Sequence, residues 1–414
     1  MKFYTGDEAG LIKEINVPLI TTFSPLDLKR KQKHQDDEHK EDPKTDNEAQ
    51  NSKVSMRAWG SIDKDSTVQC MEFVTYKAEE HMVIARRNGL VQFVSLQDGK
   101  VVREIRESTV FAKNGAKFVG LYANERETIT CTDMGTLTIT PHDSNTNPSY
   151  FDLGSNICKM RIHPSHPHLM AVGGKEHELT LYDLRALCEG KVVENADDKK
   201  EKAKYERKKE KEKGIIWKAK NVKNDFLDLR VPVWIVDLQF VSSDGNKIAI
   251  ATQYHQIRVY DIQVARRPIL NVEIGEHPFL SLGVNKNYSE LVCSDTATNV
   301  YSISLQDLKI TGQYKGFSGA ASQVITFTNS DNSKSYVATV GHDRFLRVHE
   351  FGGMRRLVRK VYLKQRMTCL LAKMEEETQD KNEPSGDEED EELWENMDKV
   401  VGDRNKRKKR LKKE

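Results

Sequence analysis

ATQYHQIRVYDI, residues 251–262, reads as a short apolar run, a polar turn and then an alternating strand. The same outline recurs as VGGKEHELTLYDL at 172–184 and as TVGHDRFLRVHEF at 339–351. Fainter copies are ARRNGLVQFVSL (85–96), CTDMGTLTITPHD (131–143), CSDTATNVYSISL (293–305) and YTGDEAGLIKEINV (4–17), which makes seven. One strand position from each, Ile12, Val91, Leu137, Leu179, Ile257, Val300 and Leu346, gives successive spacings of 79, 46, 42, 78, 43 and 46 residues. A fixed period means that one small unit is being stacked, because such a unit cannot bury its apolar face alone.

Four of the spacings lie close to the roughly 40–45 residues of a WD40 blade. Each long spacing contains a charged run that accounts for most of its excess: KRKQKHQDDEHKEDPKTDNE (29–48) in the first, and the run ending at Lys213 in the second. Within one unit, VQCMEFV (68–74), MVIARR (82–87), LVQFVSL (90–96) and VVREI (101–105) alternate as strands and are joined by turns such as Asn88-Gly89 and Asp98-Gly99. Four short antiparallel strands repeated seven times describe an all-β, seven-bladed WD40-type β-propeller. Tyr182-Asp183 and Tyr260-Asp261 stand where a Trp-Asp dipeptide is usual. MTCLLAKM (367–374) reads as a first strand with no blade after it, and residues 1–17 as second and third strands with no first. Pairing the two ends closes the ring and removes two sheet edges.

The expected organisation is a propeller over residues 1–374, a disordered insertion at 24–55, a charged insertion at 190–214 and a flexible tail at 375–414. Of the 414 residues 31% are charged, and the formal net charge is only +2, so any argument for nucleic acid must be local. Residues 199–213 hold nine basic and four acidic side chains, suited to a solvated helix, a flexible loop or a basic arm on RNA phosphates. The tail is acidic from 375 to 398 and basic from 399 to 414. Its segment Lys406, Arg407, Lys408, Lys409, Arg410, Lys412, Lys413 reads as a nuclear-import signal or a phosphate-binding patch. Six scattered cysteines and no apolar run of 18 residues point to a soluble intracellular protein with reduced thiols and no membrane contact.

The sequence contains no GxSxG, GxxxxGK[ST] or HExxH, and HPSHPH (163–168) reads as a loop rather than a metal site. An enzymatic role, a cofactor, a metal and a small-molecule substrate are therefore not expected. A propeller without chemistry is a docking platform, and its contact candidates are basic residues near the third-strand ends: Arg258, Arg266, Arg267, Arg344, Arg347, Lys364 and Arg366. The stretch KAKNVKNDFLDLRVPVW (218–234) is too polar for a core strand and too apolar for a plain linker. It bridges two blades, with an outer strand expected at 215–220 and an inner strand at 231–240. Trp217, Phe226, Leu227, Val233 and Trp234 are expected to anchor it, and Lys218, Lys220, Asn221, Asn224, Asp225 and Arg230 to be presented to a partner.

Together with YHQIRVYD (254–261), ARRP (265–268), YKGFSGA (314–320), GHDRFLRVH (341–349) and KVYLKQR (360–366), that stretch resembles one family. It is the Nop-seven-associated WD-repeat assembly factors of fungi, similar to an animal WD-repeat protein of nucleolar large-subunit precursors. The resemblance is densest from 217 to 366. It implies a non-enzymatic ribosome biogenesis factor in the nucleus and nucleolus that joins precursors of the large (60S) subunit. The implied partners are other assembly factors, pre-rRNA and an AAA-type ATPase that later strips the protein off. The alternative, from fold and tail alone, is a general nuclear WD40 adaptor for chromatin proteins or peptide motifs.

Overall fold

The computed structural model describes residues 1–18, 54–107, 115–143, 146–189, 214–329 and 334–374. The core of the 24–55 insertion, nearly all of the 190–214 insertion and the whole tail, including the basic segment 406–413, lie outside the described residues. Among the described residues, 28 strands form seven antiparallel sheets of four. Blade 2 shows the plan, running inner to outer as Val68–Tyr76, Glu79–Arg86, Leu90–Ser95 and Val101–Arg106. The inner strands of blades 3 to 7 are Phe118–Ala123, Ile157–Ile162, Ile235–Phe240, Phe279–Val284 and Ala321–Thr328. Each inner strand touches the next, and the last returns to the first.

Blades stack face to face, so their middle strands are covered on both sides and read as continuous apolar runs. In blade 5, Lys247–Thr252 and Gln256–Asp261 are buried almost throughout, whereas the outer strand Leu270–Glu273 alternates between half-buried and exposed. Seven apolar layers fill the spaces between neighbouring blades. The layer between blades 4 and 5, for example, joins Leu179 and Leu181 to Ile235, Leu238, Ile248 and Ile250. Each fully buried Leu or Ile contributes about 1.5–3 kcal/mol relative to exposure.

Blade 1 is made from both ends of the ring, as the sequence led us to expect. Met367–Lys373 is its inner strand and pairs antiparallel with Lys2–Asp7, in register from Lys2 opposite Lys373 to Gly6 opposite Cys369. Ile12–Asn16 and Ser55–Trp59 complete it. The Thr368 hydroxyl lies 3.1 Å from the Gly6 carbonyl and 2.6 Å from that of Val68, tying blade 1 to blade 2. A Cβ on Gly6 would sit 2.4 Å from Cγ1 of Val68, so the two blades approach too closely there for any side chain.

A second set of ties recurs in the residue after the periodic apolar position. Lys13, Arg258 and Arg347 follow Ile12, Ile257 and Leu346, and all three are buried. Each reaches back to the chain segment that enters its blade. Lys13 donates to the Leu363 carbonyl, Arg258 Nη1 to Oδ1 of Asn221 at 3.3 Å, and Arg347 Nε to the Gly316 carbonyl at 2.9 Å. Lys13 also faces Asp7 at 3.5 Å, and burial lowers its ammonium pKa despite that carboxylate. Arg347 grips Asp343 with two hydrogen bonds of 3.0 and 2.6 Å.

Three details differ from the sequence reading. The outer strand of blade 4 ends at Lys218 and the inner strand of blade 5 starts at Ile235. Pro232 lacks the N–H a ladder needs, and Trp234 pairs only through an isolated bridge to Lys175. The first insertion gives way at Ser55 to the outer strand of blade 1. A six-residue helix, Leu184–Glu189, leads from blade 4 into the second insertion and packs Leu184 and Leu187 on the layer between blades 3 and 4.

The Asp343–Arg347 pair sets a test. Burial pushes the Asp343 carboxyl up, but the Arg347 hydrogen bond and charge outweigh it and hold the group below the usual carboxylate range. Its stabilising contribution is therefore present above the unfolded pKa and is lost as pH falls through the lower folded one. Arg347→Met leaves a buried carboxylate unpaired and should cost about 3–5 kcal/mol at pH 7 in urea unfolding. The double variant with Asp343→Leu should recover much of that loss. A single-variant cost below about 1 kcal/mol would rule out the tie.

Candidate partner-binding surfaces

The predicted contact residues fall into two surface groups and one buried pair. Arg344, Lys364 and Arg366 converge at one mouth of the central channel. Arg344 sits in the turn between Ser335–Gly341 and Phe345–Glu350, with a positive φ of 65°, and its carbonyl accepts from Leu363 N at 2.8 Å. Lys364 and Arg366 lie in the short connection to Met367–Lys373, and Glu8 N donates to the Arg366 carbonyl at 3.2 Å. Adjoining turns are thus hydrogen-bonded to one another, which fixes the backbone that carries these cations. They line a recess of about 1170 Å³ whose floor includes Val68, Phe118 and Ile157.

Sequence reasoning missed the other half of that rim. Lys64, Arg87 and Lys117 join it, giving among the described residues six cations against two carboxylates, Glu8 and Asp133. The signal was present in the repeat itself. Arg87 opens the turn between the second and third strands of blade 2, as Arg344 lies in that of blade 7. Lys117 immediately precedes the inner strand of blade 3, as Arg366 precedes that of blade 1.

Deeper in the channel the lining is polar and partly paired. Arg161 lies 3.1 and 3.3 Å from the two carboxylate oxygens of Asp237 and donates through Nε to the Leu238 carbonyl at 2.6 Å. Asp237 also accepts from Leu282 N at 2.8 Å and Leu238 N at 2.9 Å. Burial works to raise its pKa, but Arg161, Lys159 and these amides together bring it below the usual range. For Glu72, on the inner strand of blade 2, the balance falls the other way: burial pushes it up to about 7, with Arg161 and the Phe73 amide only partly opposing. The histidine cluster holds a loop. His163 is fully buried, its Nδ1 accepts from Ser165 N and His166 N at 3.1 and 3.0 Å, and its Nε2 lies 3.1 Å from the Ser242 carbonyl. Among the described residues no cluster of three His, Cys, Asp or Glu is placed to hold a metal ion.

The second surface group lies where blade 4 hands over to blade 5. Lys218 and Lys220 are exposed, and their backbones are clasped by the 263–269 turn: Arg266 Nε donates to the Lys218 carbonyl, and Lys220 N to the Arg266 carbonyl, both at 2.7 Å. Arg267 Nε donates to the Asn221 carbonyl at 3.3 Å. Trp217, Val233 and Trp234 anchor the stretch as expected. Val233 is buried, Trp217 packs edge-on to Tyr260 at 5.8 Å, and the Lys175 ammonium stands 4.4 Å over the Trp234 ring. Arg230 meets Glu176 at 2.8 Å with both groups well exposed, a pair worth little.

Between these anchors the expected roles are reversed. Asn221 donates to the Val231 carbonyl at 2.6 Å and so closes the loop. Asn224 donates to Asp228, at 3.0 Å to its carbonyl and 2.9 Å to its carboxylate. Asp225 Oδ1 accepts from Leu227 N and Leu229 N, both at 2.9 Å, while Asp225 N donates to the Leu229 carbonyl at 3.0 Å. These polar side chains fold the loop, and Phe226 and Leu227, expected as anchors, stand 93% and 63% exposed. The tip is too short to fold back on the blades once Asp225 has satisfied its backbone. Arg258 and Arg347 are also corrected: at 1% exposure each, they are interior ties with no surface to give a partner.

No family model matches the chain. It is 32% identical to WD repeat-containing protein 74 of Homo sapiens, across 83% of this chain and 84% of that protein. To WD repeat-containing protein 74 of Bos taurus it is 30% identical, across 77% and 78%. To ribosome biogenesis protein nsa1 of Schizosaccharomyces pombe it is 24% identical, across 97% and 96%.

The channel supplies a pH test. Because the folded pKa of Glu72 is raised, the stability linked to it is fully present below its unfolded value and is lost as pH rises through about 7. Glu72→Gln mimics the protonated acid. It should match the parent in urea unfolding at pH 4 and exceed it by about 1–3 kcal/mol at pH 8, after discounting for water in the channel. Equal stability at both pH values would mean that the carboxylate is well solvated.

Proposed function

The chain belongs to the family of WD repeat-containing protein 74 in animals and ribosome biogenesis protein NSA1 in fungi, and from that membership we propose that it is a ribosome biogenesis factor. It works as a rigid, non-enzymatic scaffold in nucleolar precursors of the large (60S) subunit, holding assembly factors and pre-rRNA in one geometry. An AAA-type ATPase of ribosome assembly later releases it. The observation that carries the reading is full-length similarity to proteins named for ribosome biogenesis: the alignment to the S. pombe relative spans 96% of that protein.

The channel mouth supports an RNA or acidic-protein contact. Six cations around one recess concentrate positive potential that the net charge of +2 conceals. Phosphate contacts of this kind give affinity and position without sequence preference. We assign Arg344, Lys364 and Arg366, with Lys64, Arg87 and Lys117, to that role. Lys218, Lys220, Arg230, Arg266 and Arg267 belong to a separate contact at the junction of blades 4 and 5.

Depleting the protein should lower large-subunit levels and delay precursor-rRNA processing, and the tagged chain should co-sediment with large-subunit precursors in an RNase-sensitive way. Unchanged subunit levels would overturn the reading, and sedimentation with chromatin instead would favour the adaptor. The triple reversal Arg344→Glu, Lys364→Glu, Arg366→Glu should cut co-sedimentation at least about tenfold at 0.15 M salt while leaving the unfolding midpoint unchanged.

Residues 406–413 carry the import role in this proposal. Removing them should shift a fluorescently tagged chain toward the cytoplasm without altering its unfolding. Unchanged nuclear accumulation would reject the assignment.

A further inference from the structure

The loop at the junction of blades 4 and 5 is a tied knuckle that pushes apolar side chains outward. Phe226, Leu227 and Leu229 are 93%, 63% and 58% exposed within one turn of five residues. That turn is not slack. Asp225 closes it with two side-chain bonds and one backbone bond, Asp228 N donates to the Asp225 carbonyl at 3.0 Å, and Asn224 holds Asp228 from behind. Asp228 takes a left-handed φ of 59° to make the bend. Placing three large apolar groups in water on a preformed turn is unfavourable for the isolated protein, and a preformed turn lowers the ordering cost of binding.

The setting defines what covers them. Beside the knuckle is a recess of about 550 Å³ lined by Lys220, Lys223, Arg230 and Arg267, with Asn221, Asn224 and Asp228. Both carboxylates of the loop are engaged within it, Asp225 by backbone amides and Asp228 by Asn224. The surface therefore offers an apolar prong beside a cationic socket. We propose that this knuckle docks into a partner protein, with Phe226, Leu227 and Leu229 entering an apolar pocket whose acidic rim places carboxylates in the Lys220–Lys223–Arg267 recess. RNA fits the prong poorly, because two of its three side chains are leucines with no π face for a base to stack on. A protein pocket takes all three, and apolar anchors in desolvated pockets carry most of the energy of such contacts. The proposal deepens the scaffold reading by giving one protein contact its chemistry, and its test does not depend on precursor particles.

The test replaces Phe226 with the photo-crosslinking analogue p-benzoyl-phenylalanine in the full chain in cells, followed by mapping of the crosslinked site. The expected result is one protein site, apolar and flanked by Asp or Glu. The full chain should then bind a purified fragment bearing that site. The triple variant Phe226→Ser, Leu227→Ser, Leu229→Ser should weaken this binding at least tenfold, and so should Lys220→Glu with Lys223→Glu. Both variants should keep the parent's unfolding midpoint, since none of these side chains packs in a core layer. Crosslinking to RNA, to a second copy of this chain, to its own residues 375–398 or to nothing overturns the proposal, as does unaltered fragment binding by either variant. If co-sedimentation with precursors fails while the crosslink persists, the functional reading falls and the docking surface stands.

Discussion

The structure depends on one constraint, that a stack of blades must return to its starting point. Each blade buries its faces only against neighbours, so an open stack would leave two apolar faces in water. The pairing of Lys2–Asp7 with Met367–Lys373 removes that problem by building one blade from both ends of the ring. It also brings Met367 and Leu370 into the layer between blades 7 and 1, and Cys369 into the layer between blades 1 and 2. The buried cations Lys13, Arg258 and Arg347 act on a smaller scale, each fastening a blade to the segment that enters it. Desolvating a cation is costly, and here carbonyl, amide or carboxylate oxygens offset that cost.

The architecture was legible because burial on both faces imposes a pattern that survives divergence. Ile257, Val300 and Leu346 follow one another at 43 and 46 residues although the sequence has no Trp-Asp dipeptide. The surface was less legible, since a side chain's residue type does not say whether it faces in or out. Arg258 and Arg347 look like contact residues by composition, yet the periodic register puts them one position beyond a buried residue, in the strand interior. Comparing them with Lys13 across the repeat would have shown this. The same comparison would have found Lys117 at the position of Arg366, and Arg87 in the turn that corresponds to Arg344's.

The knuckle failed for a different reason. Apolar residues in a loop are ordinarily read as anchors and polar ones as solvent-facing, because that is the cheaper arrangement for most loops. Asp and Asn reverse the rule when their side chains replace missing backbone partners. Once Asp225 binds Leu227 N and Leu229 N, the intervening side chains can only point away. Anchoring then falls to the ends of the stretch, at Trp217 and at Val233 and Trp234, as the sequence reading expected for those three.

The shared blade also sets the order of events during synthesis. Lys2–Asp7 emerges early, and its inner neighbour, Met367–Lys373, is translated some 360 residues later. At typical elongation rates the interval is about 20–70 s, during which one edge of the first strand has no partner. Unpaired strand edges template aggregation. The inner edge of Lys2–Asp7 therefore stays open to other chains until Met367–Lys373 has emerged.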